Sequence, residues 1–417
     1  MRRSVIISAL LPLLALISCA GGKGTSEPYL PLVKQALTDT SSVAWQMLDG
    51  CRPGNPGGSI ALIGDCGPLC SLVSEFLRSD RFDNIDGREA QDELHDFAGE
   101  TFTPVFDVAN SPYDGYMEAG NIPALREAAV GMAISSLSRS CYSNTFDEKP
   151  AAERIPAKVL VLCSPYLCRY ALGDIDTLIV SKGMDVPVLS AVDEMFRMAG
   201  KRHPEGLIAV LADGKELEYG LYRSVYERVR GQEETFPDYI EHADSCGDSR
   251  TAFLSFLDSF IASGDHRNLS AVLVGSASDS LDVGSLGAVL DEIRTSPGPV
   301  MENYRSVLAD DFEFISGEDA VIRACYRVLR RGNLFTHRIA YPAVRAYVTV
   351  PSSEVPLEDV DFGGSIEPRY KYNHSADAKV QVTRTVPVSR LYMSGERLVR
   401  INSLSAPIIL NMNRLTD

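Results

Sequence analysis

The spacing of apolar and polar positions changes sharply within Gly206 to Arg230, GLIAVLADGKELEYGLYRSVYERVR. Leu207 to Leu211 is an unbroken run of branched and small apolar residues, bounded by Pro204 and by Asp213-Gly214. Such a run predicts a strand buried on both faces, as in parallel sheets. Leu217, Leu221 and Val225 then recur every fourth residue between charged positions, which predicts a helix. Strand, tight turn and helix make the first half of a parallel βαβ unit.

The same alternation runs through most of the chain. Ser59 to Gly64, Thr101 to Val108 and Lys158 to Cys163 predict buried strands, with shorter ones at Thr177–Val180 and Val186–Leu189. Leu72, Val73, Phe76 and Leu77 form a helical stripe, and an Ala-rich helix is expected from Ile122 to about Cys141. The charged stretch from Asp80 to Gly99 fits neither period. Val192, Met195, Phe196 and Ala199 mark a helix, ended by Gly200, that carries the chain into a second unit. There Phe236–Glu241, Ser270–Val274 and Phe312–Ile315 predict strands. Phe253, Phe256, Leu257 and Phe260, then Leu286, Val289 and Leu290, predict the helices between them. Ser316, with Asp319 three residues on, resembles a capping box, and Val321, Cys325, Val328 and Leu329 bury the helix that follows. Past Asn333 the alternation ends. Arg338–Val350 is β-like, 351–379 is polar and loop-like, and Val380–Asn411 reads as short strands with a turn at Met393-Ser394-Gly395-Glu396. The predicted fold class is α/β: two Rossmann-like lobes with parallel sheets, over 57–190 and 191–335, then a crossover back and a β-rich segment over 336–417.

The first residues add a separate expectation. Arg2 and Arg3 precede an apolar stretch, Val5 to Ile17, too short for a spanning helix. Leu16-Ile17-Ser18-Cys19, with Ala20-Gly21-Gly22 after it, resembles the lipobox of bacterial lipoproteins. The resemblance implies removal of residues 1–18, acylation of Cys19 and a lipid anchor to the membrane. Ala20 implies outer-membrane sorting. Residues 19–56 then supply the acylated Cys, a tether and an N-terminal helical segment.

Composition narrows the function classes. The formal net charge of −16 argues against nucleic-acid binding, which needs clustered Lys and Arg. An apolar content of 45% is that of a globular protein. Nine cysteines are compatible with disulfides in an exported chain, but Cys163 and Cys325 read as core residues. Cys66-x3-Cys70 and Cys163-x4-Cys168 lack the paired spacing of zinc ribbons, so neither a metal nor a cofactor is expected.

Two α/β halves joined by a helix near residues 190–202, behind an export signal, resemble the type I periplasmic substrate-binding superfamily. AVDEMFRMAGKRHPEGLIAVLADGKELEYGLYRSVYERV is similar to its crossover helix, the first strand of its second lobe and the next helix. The resemblance implies a ligand held between hinged lobes. The longer, more β-rich ending and the stretch 80–100 depart from that family.

Ligands of open parallel sheets bind outside the carboxyl ends of the strands. That rule selects Asp65, Cys66, Asn110, Ser111, Tyr113, Asp114, Ser164 and Tyr166 in the first half, and Asp213, Ser276 and Asp279 in the second, as the expected ligand-binding set. The bland roles of such residues are turn formers and helix caps. No nucleophile elbow, P-loop or zinc-binding helix is present, and the six His are scattered. Cys66 and Cys163 each follow a strand, and two facing cysteines in a two-lobed α/β enzyme resemble an amino-acid racemase, although the further motifs around them are absent. The expected function is a membrane-anchored lipoprotein binding a small polar ligand. The alternatives are an α/β enzyme, hydrolase or racemase-like, and a surface lipoprotein docking a membrane protein partner.

Overall fold

The computed structural model describes residues 30–51, 55–244, 248–275, 281–361, 365–377 and 381–389. The lipobox, Cys19 and the turn at Met393 lie outside them. The described chain starts with two short helices, α1 (Pro31–Thr38) and α2 (Val43–Leu48).

The first lobe follows with β1 (Ser59–Gly64), α3 (Cys66–Arg78), β2 (Thr101–Phe106), α4 (Asp114–Glu118) and α5 (Ile122–Leu137). A small hairpin of β3 (Ser140–Cys141) and β4 (Ala152–Glu153) leads to β5 (Ala157–Leu162), α6 (Pro165–Tyr170), α7 (Leu172–Ser181) and β6 (Val188–Ser190). The predicted strand Thr177–Val180 is therefore the end of α7. Its Leu178, Ile179 and Val180 make a β-like run, but Val180 faces solvent while Ile175, Leu178 and Ile179 are buried at helical spacing.

Helix α8 (Ala191–Arg202) crosses to the second lobe: β7 (Leu207–Asp213), α9 (Gly214–Glu218), α10 (Leu221–Arg230), β8 (Asp238–Asp244), α11 (Ser249–Ala262), β9 (Leu269–Val274), α12 (Val283–Thr295), α13 (Pro299–Ser306) and β10 (Leu308–Ser316). Helix α14 (Gly317–Arg331) packs on α8 and returns the chain to the first lobe, where β11 (Ala343–Val344), β12 (Tyr347–Pro351) and β13 (Thr383–Pro387) join its sheet. Half of the expected capping box forms at the start of α14: the Asp319 N–H donates to Ser316 Oγ at 3.0 Å, while the Asp319 carboxylate turns to Arg81 and Arg323.

The first sheet has the order β13-β12-β2-β1-β5-β6, with β11 also on β2. All its pairings are parallel except β12 with β13. The second sheet, β10-β9-β7-β8, is wholly parallel. The period-2 geometry of a strand explains why the central strands read as unbroken apolar runs. In β7, Leu207, Ala209 and Leu211 enter one core, while Ile208, Val210 and Ala212 enter another. That second core continues through Val192, Met195 and Phe196 of α8 into the first lobe around Leu160 and Leu162. The lobes thus share packed apolar surface through the crossover helix. No helix among the described residues is long and apolar enough to cross a membrane.

The stretch 80–98, unassigned by periodicity, is an irregular segment held by polar contacts. The Asp96 carboxylate accepts from the backbone N–H groups of Arg81 and Phe82 at 2.9 and 3.0 Å. Arg81 pairs with Asp319 at 2.7 Å, and Arg323 with Glu89 at 3.0 Å, which clamps the segment on α14. None of the described cysteines forms a disulfide.

Candidate functional site

The carboxyl ends of the strands in both lobes turn toward one another. From the first lobe come Asp65 after β1, Asp107 after β2 and Cys163 after β5; from the second come Asp213 ending β7, Gly275 after β9 and Ser316 ending β10. Contacts across the gap fix the arrangement. Lys215 Nζ meets Asp114 at 2.6 Å and Glu118 at 3.0 Å, and Tyr166 and Tyr219 have ring centroids 6.4 Å apart. Arg169 on α6 donates to the Gly220 carbonyl at 3.2 Å.

Each expected residue has a definite place. Asp65 is the N-cap residue of α3 and Cys66 its first residue, both half-buried, and no side chain caps this helix. Cys66 therefore stands in the first turn of a helix, the end whose backbone N–H groups favour an anion. Ser164 precedes α6 and is buried, and the ring of Tyr166, also buried, lies 6.1 Å from that of Tyr113 at a tilt of 60°. Asp213 caps α9 by accepting from the Lys215 N–H at 2.8 Å, the capping role common to such residues. Asp114 is occupied by Lys215. Ser276 and Asp279 lie outside the described residues.

Asn110 and Tyr113 serve the fold. Both donate to the carboxylate of Asp107, at 2.7 and 2.8 Å, and Thr349 on β12 donates to it at 2.6 Å. Asp107, Asn110 and Tyr113 are 0%, 1% and 3% exposed, so this loop is welded to the returning chain and presents little to a ligand. Ser111 is bound there too, its carbonyl accepting from Lys371 Nζ at 2.7 Å.

The two cysteines do not face each other across the gap. Cys66 and Cys163 follow the adjacent strands β1 and β5 of one lobe. Cys163 is buried, and burial pushes its thiol well above the usual range. Of the pair, Cys66 alone is partly open.

The residue that sequence reasoning missed is Glu216. The expected single helix from Leu217 to Val225 is broken at Gly220, whose φ of 63° is left-handed backbone, into α9 and α10. The break turns Glu216 inward. It is 2% exposed, and Tyr222 donates its hydroxyl to Glu216 Oε2 at 2.9 Å. Gly275 leaves room for that tyrosine, since a Cβ there would stand 2.5 Å from the Tyr222 oxygen. Burial lifts the Glu216 carboxyl to about 8, with the nearby charges of Asp213 and Asp65 adding to the rise and the Tyr222 bond opposing it. Glu318, at the start of α14, is also raised by burial, and it lies within electrostatic reach of Cys163 and Tyr222. The strand ends thus hold acids from both lobes, with the buried Glu216 favoured in its protonated form at neutral pH, a separation of protonation states typical of acid–base sites.

Two expectations follow. Between the unfolded-chain value near 4.3 and the folded value of about 8, the folded state holds a proton on Glu216 that the unfolded state has lost. This group's contribution is full below about pH 4 and drains away as pH rises through 8, an effect on the order of a few kcal/mol. Urea unfolding should therefore show a fall in stability from pH 5 to pH 9 that Glu216→Gln flattens. Lys215→Ala removes the ionic bridge between lobes at the mouth of the gap. Alkylation of Cys66 by iodoacetamide, followed by peptide mapping, should then run several-fold faster than in the wild type.

No family model matches the chain, and no curated protein matches it. Among solved structures it is similar to glutamate racemase from Bacillus anthracis, with 14% identity over 70% of this chain and 89% of that one and a TM-score of 0.42. Glutamate racemase from Thermus thermophilus gives 14% identity, 72% and 90% coverage and a TM-score of 0.41. An aspartate racemase homologue from Pyrococcus horikoshii gives 12%, 66% and 99%, and 0.36. Like this chain, they are α/β proteins of two lobes. Among the described residues no group of His, Cys, Asp and Glu is placed to hold a metal ion.

Proposed function

We propose that this protein is an enzyme that moves a proton on a small zwitterionic molecule held between the lobes, chemistry of the racemase-like kind. The observation that carries this reading is Glu216: a carboxyl kept protonated at neutral pH on the second lobe, within electrostatic reach of Asp65, whose neighbour is the half-open thiol of Cys66. In one direction the Cys66 thiolate takes a proton from carbon as the C–H bond breaks. The Glu216 carboxyl then delivers its own proton to the carbanion from the opposite side. The result is a protonated Cys66, an ionised Glu216 and an inverted carbon; exchange with solvent restores both groups, and the reverse reaction exchanges their roles. Asp65 and Glu318 favour a substrate ammonium, and the uncapped first turn of α3 favours its carboxylate. Substrates of this class are amino acids.

Chiral chromatography after incubation with each of the common L- and D-amino acids tests the reading. Inversion of one of them by the wild type, lost in Cys66→Ala, is expected; no inversion of any would remove it. A second reading, a binding protein using the same gap, is favoured by the protonated, buried thiol of Cys163, which leaves one reactive cysteine rather than two. On that reading amino acids raise the melting temperature without being inverted. Residues 2–22 support export and lipid attachment at Cys19 on the envelope side of a membrane. Labelling of the mature chain by a palmitate analogue, abolished by Cys19→Ser, is the matching test.

A further inference from the structure

Two guanidinium groups lie buried in the first lobe with no carboxylate paired to them among the described residues. Arg384 on β13 is 7% exposed and Arg154, next to β4, is 4% exposed. Arg384 donates to the Thr145 carbonyl, and its guanidinium carbon stands 4.7 Å from the centre of the Tyr142 ring. Arg154 lies 3.8 Å over the Tyr347 ring and reaches the hydroxyls of Ser135 and Ser136 at 3.3 and 3.2 Å. In both residues the Nε–H is buried and has no acceptor. A cation held away from water without a counter-charge is costly, and aromatic faces and serine hydroxyls offset only part of that.

Arg384 borders a cavity, and Arg154 stands behind its wall, reaching Ser135 from the far side. Arg384, Tyr142 and Ser135 line a narrow cavity, partly open to solvent, between α1, α2, α5 and β13. The rest of its wall is largely apolar, with Leu32, Met47, Ala124 and Met132. Glu127 also reaches it but already has a partner of its own. An apolar chamber with a desolvated positive end is complementary to an amphipathic anion. We propose that this cavity is a second binding site, separate from the gap between the lobes, for a small monocarboxylate with a short apolar tail. The carboxylate pairs with Arg384, Arg154 adds its field from behind Ser135, and the tail lies along α5 and the two N-terminal helices. The site does not depend on the chemistry proposed for Glu216 and Cys66.

Isothermal titration of the chain with octanoate tests it, with methyl octanoate as the uncharged control. Saturable binding of octanoate, no binding of the ester, and at least tenfold weaker binding in Arg384→Gln with partial recovery in Arg384→Lys are expected. Gly131→Leu gives a variant that leaves the arginines intact: Gly131 lines the cavity, and nothing stands within 4 Å of where its Cβ would be. It should fold normally and lose octanoate. Unchanged affinity in Gly131→Leu, equal affinity for the ester, or no saturable binding by butyrate, octanoate or decanoate would overturn the proposal. So would binding seen only after deletion of residues 390–417, which would make the chain's own end the occupant.

Discussion

Lys158→Met is expected to lower the stability of the first lobe by about 3–5 kcal/mol, because it leaves a buried carboxylate without its partner. Lys158 is 1% exposed, and its ammonium group pairs with Glu100 Oε2 at 2.6 Å and donates to the Leu334 carbonyl at 2.7 Å and the Pro56 carbonyl at 2.8 Å. Glu100, itself 1% exposed, accepts in addition from the Thr336 N–H at 2.8 Å. Burial opposes the charged form of both groups, so each is held charged mainly by the other. The pair lies near the amino ends of β2 and β5, away from the strand-end loops, and ties the chain leaving α14 to the sheet. Loss of Lys158 strands the Glu100 carboxylate and two backbone carbonyls as well. The double variant Lys158→Met/Glu100→Leu removes both charges and should recover a large part of the loss. Urea midpoints of the two singles and the double give the coupling directly. A single variant as stable as the wild type would refute this account of the buried pair.

The second large effect is on chemistry. Glu216→Gln keeps the shape of the side chain and its contact with Tyr222 but cannot supply a proton. If the proton donor is this carboxyl, turnover of the inverted amino acid should fall by about 10²–10⁴-fold, the usual weight of a positioned acid or base. Stability at pH 9 should hold or rise, since the glutamine has no charge to bury. Tyr222→Phe separates positioning from proton transfer. It removes the 2.9 Å hydrogen bond that opposes the rise of the carboxyl. The pH at which activity falls on the alkaline side should therefore move upward, a change that a purely structural role for the tyrosine would not produce.

Much of the architecture is legible along the chain because the strands of a parallel sheet are buried on both faces. β1, β5 and β7 carry apolar residues at most of their inward positions in two cores, so they stand out as runs. The N-cap at Ser316 and the crossover helix α8 are local features and were equally readable. Less readable was α7, where three branched or leucine residues in a row look like a strand although the helix buries only some of them. The segment 80–98 has no period because side-chain carboxylates, rather than an apolar stripe, satisfy its backbone. The site was half legible. Position after a strand selected Asp65, Cys66 and Asp213, which do stand at the strand ends, yet it could not tell a ligand contact from a cap. Asn110 and Tyr113 turned out to hold Asp107, whose other partner, Thr349, is 242 residues away in sequence. Glu216 was hidden for a different reason. It falls on the charged side of the Leu217, Leu221 and Val225 stripe, and only the kink at Gly220 makes it face inward. A glycine one turn into an amphipathic helix, just after a strand, was the available signal.

The measurement nearest to the centre of this account is solvent deuterium exchange. The wild-type protein is incubated in D2O with each amino acid, and mass spectrometry reads deuterium at the α-carbon. Proton transfer between Cys66, the substrate carbon and Glu216 predicts that at least one amino acid gains a single deuterium, with the gain lost in Cys66→Ala and in Glu216→Gln. Deuterium at no amino acid, with binding in the gap shown by a raised melting temperature, would contradict it.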